Sequence, residues 1–212
     1  MHTQRQTFSH AVTLVRAVNG GDLLVAAYGS LPLKPEPGLM PFGAGVIRGY
    51  RKALCIGVTG CRGTPEQEGR VAGLIAEAQA ETMTMILRAE HTGNAGLLDR
   101  LARRELDGLA YDARPLLCNM HDGMQRVVLG FAAAPDHKGF RQDCPDTLAQ
   151  IVATAQGSCG TNLAYLNMIL EFEQAEFSET TPELQRLRRL IENGQGTYGR
   201  RIAMRGCQAG AS

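Results

Sequence analysis

The sequence predicts an α+β fold, a small mixed, mainly antiparallel sheet or β-barrel with flanking helices. Three observations carry that expectation. Short apolar or alternating runs bounded by turn residues fill the first two thirds of the chain, and few of the 25 glycines fall in its clear helices. The strand candidates are not separated by regular crossover helices, which favours antiparallel pairing. Long amphipathic segments gather at the C-terminal end.

Taken in order, "FSHAVTLVRAVN" (8–19) predicts a short helix with Phe8, Val12, Leu14, Val15 and Val18 near one another, stopped by Gly20 and Gly21. It reads as an N-terminal extension, residues 1–21. "LLVAA" (Leu23–Ala27) is a wholly apolar strand of the kind buried on both faces. It runs into Tyr28-Gly29-Ser30, after which Pro32, Pro35 and Pro37 forbid any continuous element. "GAGVIRGYRKALCIGV" alternates well enough for one or two strands. "RVAGLIAEA" and "TMTMILRAE" give two more, although Ala, Glu and Met there are good helix formers.

In "AGLLDRLARRELDG" the helical spacing of Leu97, Leu98, Leu101 and Leu106 predicts a helix, with Asn94 as its cap and Gly108 as its stop. "YDARPLLCNM" and "MQRVVLGFAA" flank Asp122-Gly123, a hairpin signal. Three helices follow. "PDTLAQIVATAQG" opens on Pro145, "NLAYLNMILEFEQA" opens on Asn162 as cap, and "TPELQRLRRLIENG" has Thr181 as cap and Pro182 in its first turn. Residues 22–193 form the expected domain. The tail 194–212, with five glycines, is expected to be loosely ordered.

Composition narrows the function. The 212 residues suit one domain, and 22 Lys plus Arg against 21 Asp plus Glu recommend neither nucleic acid nor an anionic membrane as partner. A neutral or small substrate fits better. No apolar run approaches the roughly 18 residues needed to span a bilayer, and the first 21 residues lack the apolar core of a signal peptide, so the chain reads as cytoplasmic. Its six cysteines contain no CxxC pair, which weakens zinc and thioredoxin-like readings and leaves them as reduced, structural thiols. GxSxG, P-loop, GxGxxG and HExxH patterns are all absent.

Four stretches can carry chemistry. Tyr28-Gly29-Ser30-Leu31 offers consecutive N–H groups to a carboxylate or oxyanion, or is simply a bend allowed by glycine. Arg62, in "CRGTPEQEGRVAGL", can grip a carboxylate or sit in a surface loop. Glu105 lies late in an amphipathic helix, where the dipole disfavours an anion. Partial burial there would make it a proton shuttle. "GSCGTNLAYL" (157–166) is explained in full as a helix connection with an asparagine cap.

In this order and spacing, "AAYGSL", "GYRKALCIGVTGCRGTPEQEGRVAGL", "RRELDGLAY" and "ATAQGSCGTNLAYL" resemble the ChaC-type γ-glutamylcyclotransferases, over about residues 23–190. The resemblance implies a γ-glutamylcyclotransferase-type barrel and cleavage of glutathione to 5-oxoproline and cysteinylglycine, with no cofactor and no metal. It assigns Tyr28, Gly29, Ser30 and Leu31 to the γ-glutamyl group and Glu105 to general acid/base catalysis. Arg62 joins them as a substrate-binding residue. Two departures stand out. Pro32 and Leu33 replace the usual aromatic after the turn, and "EAQAETMTMILRAEH" replaces a Gly-Gly-x-Cys-x-Gly segment. They leave open another γ-glutamyl substrate, an amine or antibiotic side chain, or a non-catalytic binding module on the same fold.

Overall fold

The computed structural model describes residues 2–89 and 96–195. The expected Asn94 cap and nearly all of the glycine-rich tail lie outside the described residues. Five strands close a barrel in the order β1-β3-β2-β4-β5: β1 Leu23–Ala27, β2 Leu39–Val58, β3 Gly69–Ala89, β4 Tyr111–Met120 and β5 Gln125–Ala133. The long partners are antiparallel, and β5 closes the barrel by parallel contacts to β1 and β3.

Every residue of β1 is buried, and its alternation explains why no polar residue is tolerated. Leu23, Val25 and Ala27 pack with α1 (His2–Val18) and α2 (Leu97–Leu106). Leu24 and Ala26 pack with α4 (Asn162–Phe177) and α5 (Pro182–Gln195). Helix α1 is longer than its apolar pattern predicts and is docked rather than loose. Phe8, Val12 and Val15 are buried, and Phe8 stacks on Phe131 of β5 at 6.3 Å. Burial of each such side chain contributes about 1.5–3 kcal/mol.

The separate strand candidates between 43 and 90 merge into two continuous strands. Between them the register slips, Arg48 facing Glu81 and Tyr50 facing Ala76, so the exposed Glu77-Ala78-Gln79 stretch bulges against Gly49, whose φ is 80°. Met83, Met85 and Ala89, good helix formers by themselves, nonetheless pair in the β3 ladder with Val46, Ala44 and Leu39. The hairpin between β4 and β5 turns at Gly123 (φ 84°), with Asp122 accepting from the Met124 N–H at 2.8 Å.

Helix α3 spans Pro145–Thr154, and a two-stranded ribbon, β6 Gln156–Gly157 with β7 Gly160–Thr161, connects it to α4. Thr161, not Asn162, caps α4 by accepting from the Ala164 N–H at 3.1 Å. The wholly buried Asn162 instead bonds both backbone groups of Arg70, accepting from its N–H and donating to its carbonyl, each at 2.7 Å. Its side chain extends the ladder of β3 by one rung and holds α4 to the barrel. A buried ion pair, Lys52 of β2 with Glu173 of α4 at 2.5 Å, does the same further along; Glu173 also accepts from the N–H and hydroxyl of Thr181 before α5. No described helix is long and apolar enough to cross a membrane.

Candidate active site

The turn after β1 has no left-handed residue, so Gly29 is not there for its backbone freedom. It is there for space. A methyl at Gly29 would lie 3.2 Å from the Tyr165 hydroxyl and 3.7 Å from the Ala72 side chain. Among the described residues the N–H groups of Gly29, Ser30 and Leu31 have no acceptor, while the Ser30 carbonyl closes the turn by accepting from Lys34. Unspent donors next to a cleft are what an incoming carbonyl or carboxylate needs.

That cleft, about 870 Å³, is lined by Tyr28, Gly29, Ser30 and Leu31, and by Arg62 and Glu105 as well. The structure therefore brings all six sequence-predicted site residues to one cavity. Glu105 is on α2, whose apolar face (Leu97, Leu101, Ala102, Leu106) is pressed onto the core, and Gly108, at φ 79°, ends the chain's helical course just beyond. Only 15% of its side chain is exposed. Burial is the main reason its carboxyl is pushed up from the ordinary 4.5 to about 7; Arg104 opposes the shift and Glu36 adds to it.

Arg104 is the residue sequence reasoning missed. Its guanidinium lies 3.2 Å from Glu105 and 3.3 Å from Glu36, and it donates to the Ser30 hydroxyl at 3.2 Å and to the Lys34 carbonyl. One side chain thus ties the donor turn to the carboxylate. Residues adjacent in a helix do not face each other, which hid the pairing with Glu105; only the reach of arginine closes it.

Arg62 sits in the loop between β2 and β3, half-buried, with its guanidinium 5.5 Å above the Tyr165 ring and one N–H donated to the Thr161 carbonyl at 3.2 Å. The loop is pinned from two sides. Glu68 holds Arg141 by two bonds at 2.8 and 2.9 Å and Arg70 by one at 2.8 Å. On the other side the ribbon lies so close that a methyl on Gly157 would fall 2.3 Å from the Gly60 carbonyl oxygen.

Here the structure corrects the expectation of reduced structural thiols. Cys61 and Cys159 form a disulfide across 98 residues of sequence, and their segments are already matched by backbone bonds, Ser158 N–H to Gly60 and Cys159 N–H to Cys61. Cys55 and Cys118 remain buried free thiols, and burial pushes them up to about 12 and about 11.

Three buried tyrosines complete the wall: Tyr28, Tyr111 and Tyr165. Tyr28 donates to the Phe131 carbonyl and Tyr111 to the Ala72 carbonyl. The Ala72 N–H donates to the Tyr165 oxygen at 3.1 Å. A second groove, about 760 Å³ between α1 and α2, is lined by Phe8, Val12, Arg16 and Asp99 among others and lies apart from the turn.

Fold and site together define a class: a small-barrel protein in which a largely buried carboxyl of near-neutral pKa shares a cleft with a turn of free N–H donors. The chain belongs to the ChaC-like protein family, which it matches over residues 23–193. It is 27% identical over 164 residues to the glutathione-specific gamma-glutamylcyclotransferase of Escherichia coli (strain K12), covering 77% of this chain and 70% of that protein. It is 26% identical over 162 residues to glutathione-specific gamma-glutamylcyclotransferase 1 of Homo sapiens, covering 74% and 73%. A crystal structure of the γ-glutamyl cyclotransferase specific to glutathione from yeast shares the fold, with a TM-score of 0.70 at 19% identity over 82% of this chain and 99% of that one.

Proposed function

We propose that this protein is a γ-glutamylcyclotransferase that converts glutathione to 5-oxoproline and cysteinylglycine. The observation that carries the reading is Glu105, a single carboxyl held near neutrality on the wall of a cleft whose opposite feature is a turn of unspent N–H donors. The reaction needs no protein nucleophile. The substrate's α-amine attacks its own γ-carbonyl carbon, a C–N bond closes the five-membered ring, and the C–N bond to cysteine breaks. Folding the substrate back supplies much of the rate. Glu105 takes the proton that the attacking amine loses and returns it to the leaving amine, a double duty suited to a pKa near 7. The N–H groups of Gly29, Ser30 and Leu31 hold the γ-glutamyl group, and Arg62 meets a substrate carboxylate.

Residues 22–193 form the catalytic unit in this reading, with 1–21 and 194–212 as appendages. We place the reaction in the cytoplasm because its thiol substrate is kept reduced there; the Cys61–Cys159 bond is uncommon for that compartment. A coupled assay for 5-oxoproline and cysteinylglycine from glutathione tests the proposal, and absence of both products from wild-type protein rejects it. A second reading, turnover of other γ-glutamyl compounds, is favoured by one feature. Pro32 and Leu33, just past the turn, are not among the residues that line the cleft, and Leu33 is 38% exposed, so no aromatic at these positions walls the substrate. Offering γ-glutamyl amines and γ-glutamyl amino acids beside glutathione decides between them. Binding without turnover, seen as a glutathione-dependent thermal shift, would mark a non-catalytic module.

A further inference from the structure

Of the three tyrosines around the cleft, two have spent their hydroxyl protons on backbone carbonyls, Tyr28 on Phe131 and Tyr111 on Ala72. Tyr165 is placed differently. Its oxygen accepts from the Ala72 N–H at 3.1 Å, and among the described residues its own proton has no acceptor. The residue is 4% exposed and lines the cleft with Gly29 and Glu105. A buried hydroxyl with an unused proton is costly unless something in the site uses it.

Three restraints aim that proton. The Ala72 N–H fixes the oxygen and occupies a lone pair, leaving the O–H to turn away from β3. The Arg62 guanidinium covers the ring at 5.5 Å, and the same loop is held by the Cys61–Cys159 bond. The hydroxyl stands 3.2 Å from where a Gly29 side chain would begin, so it shares the space in front of the donor turn. Burial also raises its pKa, which keeps it a donor at every working pH.

We propose that the Tyr165 hydroxyl is a catalytic hydrogen-bond donor to the γ-carbonyl oxygen, completing with the turn's N–H groups the pocket for the tetrahedral oxyanion. This rests on the cyclotransferase reading. As the amine closes on the carbonyl carbon, the C=O π pair moves to oxygen and is held by Tyr165 O–H and the backbone donors; its return expels the cysteine nitrogen, which takes its proton from Glu105. Tyr165 stays protonated throughout.

The test is steady-state turnover of glutathione by wild type and Tyr165→Phe, which keeps the ring under Arg62. Loss of one such donor typically lowers kcat about 10²–10³-fold, and KM is expected to change less than about threefold. Because Phe also strands the Ala72 N–H, site-specific fluorotyrosines at 165 serve as the second arm. They keep the oxygen and grade its acidity, so kcat should follow the phenol's acidity, a trend that a structural role does not produce. If wild type turns over and Tyr165→Phe keeps kcat within twofold, or if the fluorotyrosines show no trend, the assignment of Tyr165 falls alone. If wild type releases no 5-oxoproline from any γ-glutamyl compound, both readings fall.

Discussion

The Glu105→Gln substitution should destroy activity and stabilise the protein, and the second effect should depend on pH. A carboxyl whose folded pKa is about 7 against an ordinary 4.5 binds more protons folded than unfolded across that window. Wild-type stability attributable to Glu105 is therefore complete below pH 4.5 and is lost as pH rises through 7. Between pH 5 and 8 the accumulated loss is about 2–3 kcal/mol from the linkage relation. With 15% of the side chain exposed, water trims that to about 2 kcal/mol. Glutamine is nearly isosteric and neutral throughout, so the variant escapes the loss. Other groups titrate equally in both proteins and cancel in the difference. At roughly 2–4 °C per kcal/mol for a chain of this size, the Tm of Glu105→Gln should gain about 4–8 °C on wild type between pH 5 and pH 8. Calorimetry at the two pH values measures it, and 5-oxoproline release should fall by about 10²–10⁴-fold in the same preparation. In wild type, kcat/KM should climb as pH passes about 7, because the carboxylate is the form that accepts the amine proton. A Tm difference independent of pH, or a fully active variant, would refute the placement of Glu105 as a buried, near-neutral proton shuttle.

Single-charge changes beside Glu105 should move the rising limb of the pH–rate profile in opposite directions. Arg104→Met removes the group that lowers the Glu105 pKa and should shift the limb to higher pH, whereas Glu36→Gln should shift it to lower pH; a common direction contradicts the electrostatic account. Lys52→Met leaves Glu173 buried without its cation and should cost about 3–5 kcal/mol in denaturant unfolding while kcat of the folded fraction is unchanged. Gly157→Ala drives a methyl against the Gly60 carbonyl and should cost about 1–3 kcal/mol and raise KM for glutathione, since the displaced loop carries Arg62. Loss of the Cys61–Cys159 link, which spans 98 residues, should lower stability by about 2–4 kcal/mol, read as a lower Tm of the Cys61→Ser, Cys159→Ser double variant than of wild type, both measured without reductant.

Much of this site was legible because its parts are local. The strand into Tyr28-Gly29-Ser30, the helix bearing Glu105 and the hairpin at Asp122-Gly123 each follow from periodicity and turn residues within a dozen positions. What escaped is long-range. The Cys61–Cys159 bond joins two segments that only the closed barrel and the docked α4 bring together, and no spacing rule connects them. Asn162 has the sequence of a cap, yet its amide serves a strand 92 residues away because Thr161 already caps the helix. Arg104 carries no signal within its own helix, because its partners Ser30, Lys34 and Glu36 lie in the loop between β1 and β2, 68 to 74 residues away.

Gly29 joins the two kinds of information. A glycine in a turn reads as a bend, and the expectation was conformational; the structure gives it a steric reason, the Tyr165 oxygen 3.2 Å from its missing side chain. That oxygen is held by Ala72 of β3 and approached from α4, so the turn after β1 has its shape only when strand, loop and helix are all in place. Glu105 enters from α2 on the other side, tethered to the same turn through Arg104. Each group of the proposed mechanism thus hangs on a different element, and the barrel is the device that fixes their separations. Substitutions that merely loosen the docking of α2 or α4 should therefore lower kcat before they lower secondary-structure content, since a displacement of about 1 Å in the reacting geometry costs on the order of 10²-fold in rate.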